Sequence, residues 1–354
     1  MSPFKLFFKL PRLYLVIFLA LFTLLGCLDD TKKSIESENI VSIDSLSEEI
    51  NKNPTDLILL LKRANYYKSK QNWEYVLFDA KQCLLIDSVN IEANFLAGES
   101  YFEISKINHT KSTYPYLALT HLKLATGPKS RYFTAFVKYA ELLIAFSKYK
   151  EAFDILNHVI KMNNNIAKAH FLKGYLFQEM DNTEQALDCF YQAIQVDPEF
   201  IEGYIQLANI LHKRNDTTAL IYYNNALRID SNNINVLYAK GIFFQERKEW
   251  NKALKAYSNL HQVDPFHADA HYNVGFIHME LDLFNVATNN FSDAIYTNSQ
   301  YYQAYYSRGY CFESLGNIMQ AKSDYQRAID INPNYNYAIE ALKRINSNNQ
   351  KIKK

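Results

Sequence analysis

Between residues 55 and 333 small and large apolar positions return in one register, eight times. The stretches "AHFLKGYLFQEMDNTEQALDCFYQAIQVDP" (169–198) and "AYYSRGYCFESLGNIMQAKSDYQRAIDINP" (304–333) carry the pattern, and two further copies lie between them. A small residue marks each predicted first helix: Ala64, Gly98, Ala140, Gly174, Ala208, Gly241, Gly275 and Gly309, at spacings of 34, 42, 34, 34, 33, 34 and 34. About twelve residues later comes a second mark: Val76, Ala118, Ala152, Ala186, Ala219, Ala253, Ala287 and Ala321. A third includes Ala125, Ala193, Ala226, Ala294 and Ala328, and Pro198, Pro265 and Pro333 close repeats. No convincing strand pattern interrupts them.

Antiparallel helices approach closely only where side chains are small, so glycine and alanine belong at the crossings. Large residues such as Phe190, Tyr223, Tyr257, Phe291 and Tyr325 are expected to fill the space between neighbouring units. One such unit is too small to bury its own apolar face, and stacking in series solves that.

Periodic small and large positions at this spacing resemble the tetratricopeptide repeat (TPR). The resemblance implies an all-α fold, a right-handed α-solenoid of about eight TPR helix-turn-helix repeats over 55–333. Residues 42–54, with "IDSLSEEINKNP", read as a half-repeat cap, and 334–354 as a capping helix with a basic tail. There are departures. The bulky aromatic that opens the first helix in this family is Leu60, Asn94 or Leu237 in places, and the first two repeats diverge most. The second repeat carries eight extra residues around "SKINHTKST" (105–113), expected as a surface insertion that is either a contact site or tolerated length. Pro115 falls in the first turn of the following helix, where its missing N–H is harmless.

The N-terminus follows another rule. Lys5, Lys9 and Arg12 precede an apolar run from Leu13 to Gly26, which is short for a membrane span and suits a signal peptide. Leu24-Leu25-Gly26-Cys27 resembles the lipobox of Gram-negative bacterial lipoproteins. That resemblance implies cleavage after residue 26, acylation of Cys27 and stable attachment to the outer membrane. The competing reading is an uncleaved signal anchor. Residues 27–41 would be the lipidated cysteine and a polar tether, reaching roughly 20 Å on average. Asp29-Asp30 resembles surface-export signals but is equally a solvated linker, so periplasmic face and cell surface both stay open.

Charge and chemistry narrow the function. With 38 Lys+Arg against 37 Asp+Glu the net charge is +1, and no basic field points to nucleic acid. Cys83, Cys189 and Cys311 are scattered, with no paired spacing, and read as buried thiols. His267, His271 and His278 suggest a metal stripe at first sight. In the repeat register, however, His271 takes the opening aromatic position and His278 the place of Phe177, Phe244 and Phe312, so packing is the better reading. No phosphate loop, nucleophile–base order or carboxylate pair stands out, and neither enzyme chemistry, cofactor nor metal is expected.

In TPR arrays the first helices line a concave groove that binds peptides or helices. Positions three before and one after each small mark share a helix face. They give Phe95 and Glu99, Val137 and Glu141, Phe171 and Tyr175, Ile205 and Asn209, Tyr238 and Ile242, Tyr272 and Phe276, Tyr306 and Tyr310. Near the ends of these helices stand Glu103, Glu179, Glu246, Glu280 and Glu313, where the helix dipole disfavours negative charge. An acidic and aromatic groove would suit a partner bearing Lys, Arg or flat apolar groups. The lysines of the family's clamp for acidic termini are replaced by Leu61, Phe95 and Val137. The expectation is a membrane-anchored scaffold for protein–protein interactions in the bacterial envelope. A surface carbohydrate-binding lipoprotein is the alternative.

Overall fold

The structure is a computed structural model describing residues 43–108, 112–128 and 130–352, the last five by backbone only. The leader, Cys27 and the tether lie outside the described residues. Eighteen helices and no strand occur among the described residues. In chain order they are α1 (Ile43–Lys52), α2 (Leu57–Ser69), α3 (Trp73–Ile86), α4 (Ile91–Ile107), α5 (Tyr114–Ala125), α6 (Phe133–Ala145), α7 (Tyr149–Met162), α8 (Ala167–Glu179) and α9 (Thr183–Val196). Then follow α10 (Ile201–Lys213), α11 (Ala219–Ile229), α12 (Ile234–Glu246), α13 (Trp250–Val263), α14 (Ala268–Glu280), α15 (Phe284–Thr297), α16 (Tyr302–Ser314), α17 (Ile318–Ile331) and α18 (Asn336–Ile352). The pairs α2–α3 through α16–α17 are the repeats, and the chain divides into two compact units, Met1–Ala152 and Phe153–Lys354.

The small marks sit at helix crossings. A Cβ added at Gly241 would lie 2.4 Å from Tyr257 Cε1, and at Gly174, Gly275 and Gly309 within 3 Å of Phe190, Phe291 and Tyr325. These rings therefore press on the first helix of their own repeat. The sequence expectation placed them between neighbouring units, whereas their first contact fills the interior of the pair. Ala186, Ala219, Ala253, Ala287 and Ala321 are all fully buried.

Among the described residues, seven of the turns from first to second helix hold one left-handed residue. Gln71, Ser147, Asp181, Asn215, Lys248 and Asp282 hold φ between 55° and 58°, and only the last turn uses glycine, Gly316 at φ 80°. An L-residue there costs about 1–2 kcal/mol. The turn geometry is thus set by the packing of the pair and is tolerated by whichever residue falls there.

Within repeats, and from each to the helix before it, the ties are polar as well as apolar. Arg63 donates to both carboxylate oxygens of Asp79, at 2.9 and 2.7 Å, and to Ser47 Oγ at 3.3 Å. Arg308 repeats the arrangement with Asp324 at 2.8 Å to each oxygen and Ser292 at 3.0 Å. In both cases the serine lies on the helix before the repeat. Helix α1 therefore plays toward α2 the part that α15 plays toward α16. The extra length of the second repeat partly continues α4, which runs to Ile107; residues 109–111 lie outside the described ones. Pro115 sits in the first turn of α5.

Candidate partner-binding face

In the first unit the face proposed from sequence is closed by its own partners. Phe95 is fully buried, edge-on to Tyr132 at 5.0 Å and under Lys68 Nζ at 4.5 Å. Glu99 pairs with Lys68 at 2.6 Å, and Glu103 with Lys106 at 2.8 Å and Lys138 at 3.8 Å. Phe95 thus offers no surface to a partner, and the acids beside it are neutralised. The repeat register correctly places these residues on one helix, but it carries no information about which lysines reach across.

In the second unit the residues three before each mark join successive repeats. Phe171 packs edge-on to Phe200 at 5.4 Å. Tyr238 stacks on His267 at 5.0 Å, and its hydroxyl accepts from Asn273 at 3.1 Å. Tyr272 stacks on Tyr301 at 5.1 Å. Tyr306 meets Tyr335 at 5.5 Å and Tyr337 at 6.1 Å. Phe200, His267 and Tyr301 are the residues immediately ahead of α10, α14 and α16, so each aromatic clasps the entry of the next first helix. The ladder read from the sequence exists, but most of its area is spent on packing.

What stays open lies one position after the mark and at the helix ends. Tyr175 and Tyr310 are exposed, at 37% and 41%. Phe276 is half-buried, and Glu179 is exposed. Glu246 and Glu313 have partners on neighbouring helices. Glu246 lies 2.9 Å from His212 Nε2, whose Nδ1 is 3.0 Å from the Tyr223 hydroxyl. Glu313 accepts from the Tyr325 hydroxyl and from Arg344, both at 2.8 Å. Dipole arguments left these acids unexplained; His212 accounts for Glu246, and the buried Tyr325 hydroxyl with Arg344 accounts for Glu313. Where the second helix carries Tyr257 the acceptor is Gln245, at 2.8 Å. Where it carries Phe291, which needs no acceptor, the matching residue is Met279. Burial raises the hydroxyl pKa of Tyr223 to about 12 and pushes Tyr257 and Tyr325 further up, so all three remain donors.

Glu280 differs from them. Together with Asp282 it lines a hollow of about 360 Å³ whose walls are Phe284, Tyr306, Ser307 and Tyr310. Phe284 and Tyr310 meet edge-on at 6.4 Å. Among the described residues no salt bridge engages Glu280 or Asp282. Two carboxylates beside aromatic faces make a cation-accepting environment. Sequence reasoning found Glu280, Tyr306 and Tyr310 but missed Asp282 and Phe284, which the α14–α15 turn brings in. A second hollow, about 570 Å³, has Gln178, Asn209, His212, Lys213, Tyr238 and Glu246 in its wall, and its charges are already balanced.

The histidines are spoken for. His267 caps α14 by accepting from Ala270 N–H at 3.2 Å, His271 Nε2–H donates to the Pro265 carbonyl at 2.8 Å, and His278 lies 2.9 Å from Asn290 Oδ1. Among the described residues no group of three or more His, Cys, Asp or Glu is arranged to hold a metal ion. Cys83, Cys189 and Cys311 are buried. Burial, with Asp79 and Glu92 adding, pushes the Cys83 thiol up to about 11, and burial pushes Cys311 up to about 12. No helix among the described residues is long and apolar enough to cross a membrane.

Paired helices with small residues at their crossings, closed by stacked aromatics, define a helical-repeat protein. Two segments, 167–200 and 302–335, match the family model of the tetratricopeptide repeat, and the chain carries these repeats. Its fold is that of a protein-interaction scaffold. Among solved structures, the C-terminal part of a TPR repeat-containing protein from Cytophaga hutchinsonii is 14% identical, with a TM-score of 0.57 over 68% of this chain and 99% of its own. The Pseudomonas aeruginosa protein pilF is 16% identical, with a TM-score of 0.51 over 61% of this chain and 94% of its own. At these identities the likeness is one of fold. No curated protein matches the sequence.

Proposed function

We propose that the protein is a lipid-anchored scaffold of the bacterial outer membrane. On this reading it binds a protein partner through the first-helix face of its second unit, at a segment carrying Lys or Arg. The observation that carries the reading is the hollow of Glu280, Asp282, Phe284, Tyr306 and Tyr310. Its charge is left uncompensated by the fold, while the acids around it are paired. A primary ammonium or guanidinium group would meet two carboxylates and ring faces there, an arrangement worth about 0.5–2 kcal/mol for the ring contact alone. The anchor rests on Leu24-Leu25-Gly26-Cys27 after the apolar run. Exposed aromatics borne on helices, Tyr175 and Tyr310, favour a peptide partner over a sugar held on long loops.

Crosslinking and pulldown from native membranes tests both halves. Tyr310→Ala and Glu280→Lys should each reduce recovery of the partner at unchanged melting temperature. Equal recovery by both variants would sink the groove reading. Cys27→Ala should move the protein from the membrane to the soluble fraction, and continued tight attachment would favour the uncleaved signal anchor.

A further inference from the structure

The two units differ on the outer side of their second helices. In the first repeat α3 exposes Tyr75, Phe78, Leu85 and Ile86, and Val89 continues the row. Phe78 is 56%, Leu85 81% and Val89 74% exposed. Tyr75 stacks on Tyr67 at 4.8 Å, but burial on folding cannot account for Phe78, Leu85 and Val89. The repeat register shows how unusual they are. The place of Phe78 is taken by Asp188, Lys255, Asn289 and Ser323 in repeats four, six, seven and eight, while repeat five has the exposed Ile221. The place of Leu85 is taken by Gln195, Gln262, Tyr296 and Asp330. The next second helix, α5, shows Tyr116, Leu117 and Leu124 on the matching face, with Tyr116 64% exposed. Lysine recurs too: Lys81 and Lys123 hold the same register position on α3 and α5 and are both exposed. At that position repeats four, six, seven and eight have Tyr191, Ser258, Ser292 and Gln326.

Exposed apolar residues gathered along one helix face, as on α3, mark an interaction site. Tyrosine, phenylalanine and leucine with lysines alongside is the composition of a face that lies in a lipid headgroup region, each lysine adding roughly 1 kcal/mol at an anionic surface. Position along the chain adds to this. Ile43, where α1 starts, is sixteen residues after Cys27, a distance of at most about 55 Å fully extended. The first repeat is the one that an anchor at Cys27 holds next to the bilayer. We infer that the outer face of α3 and α5, built on Tyr75, Phe78, Leu85, Tyr116 and Leu124 with Lys81 and Lys123, docks on the anionic phospholipid surface to which the chain is tethered. This fixes one side of the first unit against the membrane, and it rests on the anchor reading above.

The test uses the full lipid-modified protein with both tryptophans replaced, Trp73→Phe and Trp250→Phe, and one reporter added, either Phe78→Trp or Tyr296→Trp. Each is bound to vesicles of phosphatidylethanolamine and phosphatidylglycerol with brominated acyl chains, which quench an inserted indole. The Phe78→Trp reporter should lose fluorescence by roughly twofold against unbrominated vesicles, as for an aromatic placed at the acyl boundary. The more exposed Tyr296→Trp reporter should not change. Adding Leu85→Ser and Tyr116→Ser should restore fluorescence while the protein still sediments with the vesicles. An unquenched Phe78→Trp reporter on sedimenting protein overturns the docking face alone and leaves the stripe to a protein contact. Sedimentation lost in the unaltered chain, or unchanged by Cys27→Ala, overturns the anchor, so the two failures are told apart.

Discussion

Helices α3 and α17 are the second helices of the first and last repeats, and they are built on one frame. Each holds a buried aspartate, Asp79 or Asp324, gripped by an arginine sixteen residues earlier that also reaches a serine sixteen residues before it. Their inner faces share this polar frame, although Ala80 stands where α17 has the buried Tyr325. Their outer faces differ: Phe78 and Leu85 stand where α17 has Ser323 and Asp330. The difference shows which part of a repeat is committed to folding. The frame is set by packing and by buried hydrogen bonds, and the remainder of each helix surface is free to differ. Function is legible where a repeat departs from its siblings without gain to the fold.

The comparison breaks most visibly at the shared frame. Asp324→Ala leaves Arg308 without its partner in a site where both side chains are largely buried, and should cost about 3 kcal/mol in denaturant unfolding. Asp79→Ala should cost a similar amount. Replacing both partners, Arg308→Met with Asp324→Leu, should recover most of the loss, because the penalty is that of an orphaned charge.

A smaller effect is expected at the crossings. Glycine to alanine in a helix ordinarily stabilises by roughly 0.5–1 kcal/mol. Gly241→Ala should instead destabilise by about 2 kcal/mol, since the new methyl would meet the buried Tyr257 ring at 2.4 Å. A melting temperature that rises in this variant would refute the close-crossing account.

Below that lies the hydroxyl pattern. Tyr257→Phe should lose about 1 kcal/mol with its bond to Gln245. Phe291→Tyr should lose about 1–3 kcal/mol, because Met279 gives the new hydroxyl no good acceptor. If the two changes are equally neutral, the pairing of tyrosine with a polar neighbour is incidental.

The smallest effect belongs to the first unit and depends on pH. His121 on α5 lies 2.9 Å from Asn94 Oδ1 and stacks on Tyr101 at 5.6 Å. Burial, helped by Lys81, lowers its pKa from the ordinary 6.5. The unfolded chain then binds the proton more readily than the folded one. Stability contributed by neutral His121 is complete above pH 6.5 and is lost as pH falls from there through the folded value. Urea unfolding at pH 7.5 and 5 should show this loss, and His121→Phe should reduce it.

Much of the fold could be read from the residues, because the signal is geometric. Gly174, Gly241, Gly275 and Gly309 recur at fixed intervals since a helix crossing tolerates nothing larger. The site was legible only in part. Tyr310 and Glu280 could be placed on one face by counting, but counting could not show that Tyr238 and Tyr272 spend their rings on His267 and Tyr301. Those contacts join residues about thirty apart, and they depend on how far each repeat is rotated relative to the next. Phe95 was misjudged for the same reason: the register gives the helix face, and the depth of the neighbouring repeat decides whether that face is open. Asp282 escaped notice because its role comes from a left-handed turn, and residues of many types occupy that turn.

The central claim is that charge left unpaired by the fold, at Glu280 and Asp282, selects a basic partner segment. A photo-crosslinking amino acid placed at Tyr310 in native membranes, followed by mass spectrometry of the joined peptides, measures this directly. The account predicts crosslinks to a protein segment with Lys or Arg within a few residues of the joined site, abolished by Glu280→Lys with Asp282→Lys. Crosslinks to segments without basic residues, or a yield indifferent to the charge reversal, would contradict it.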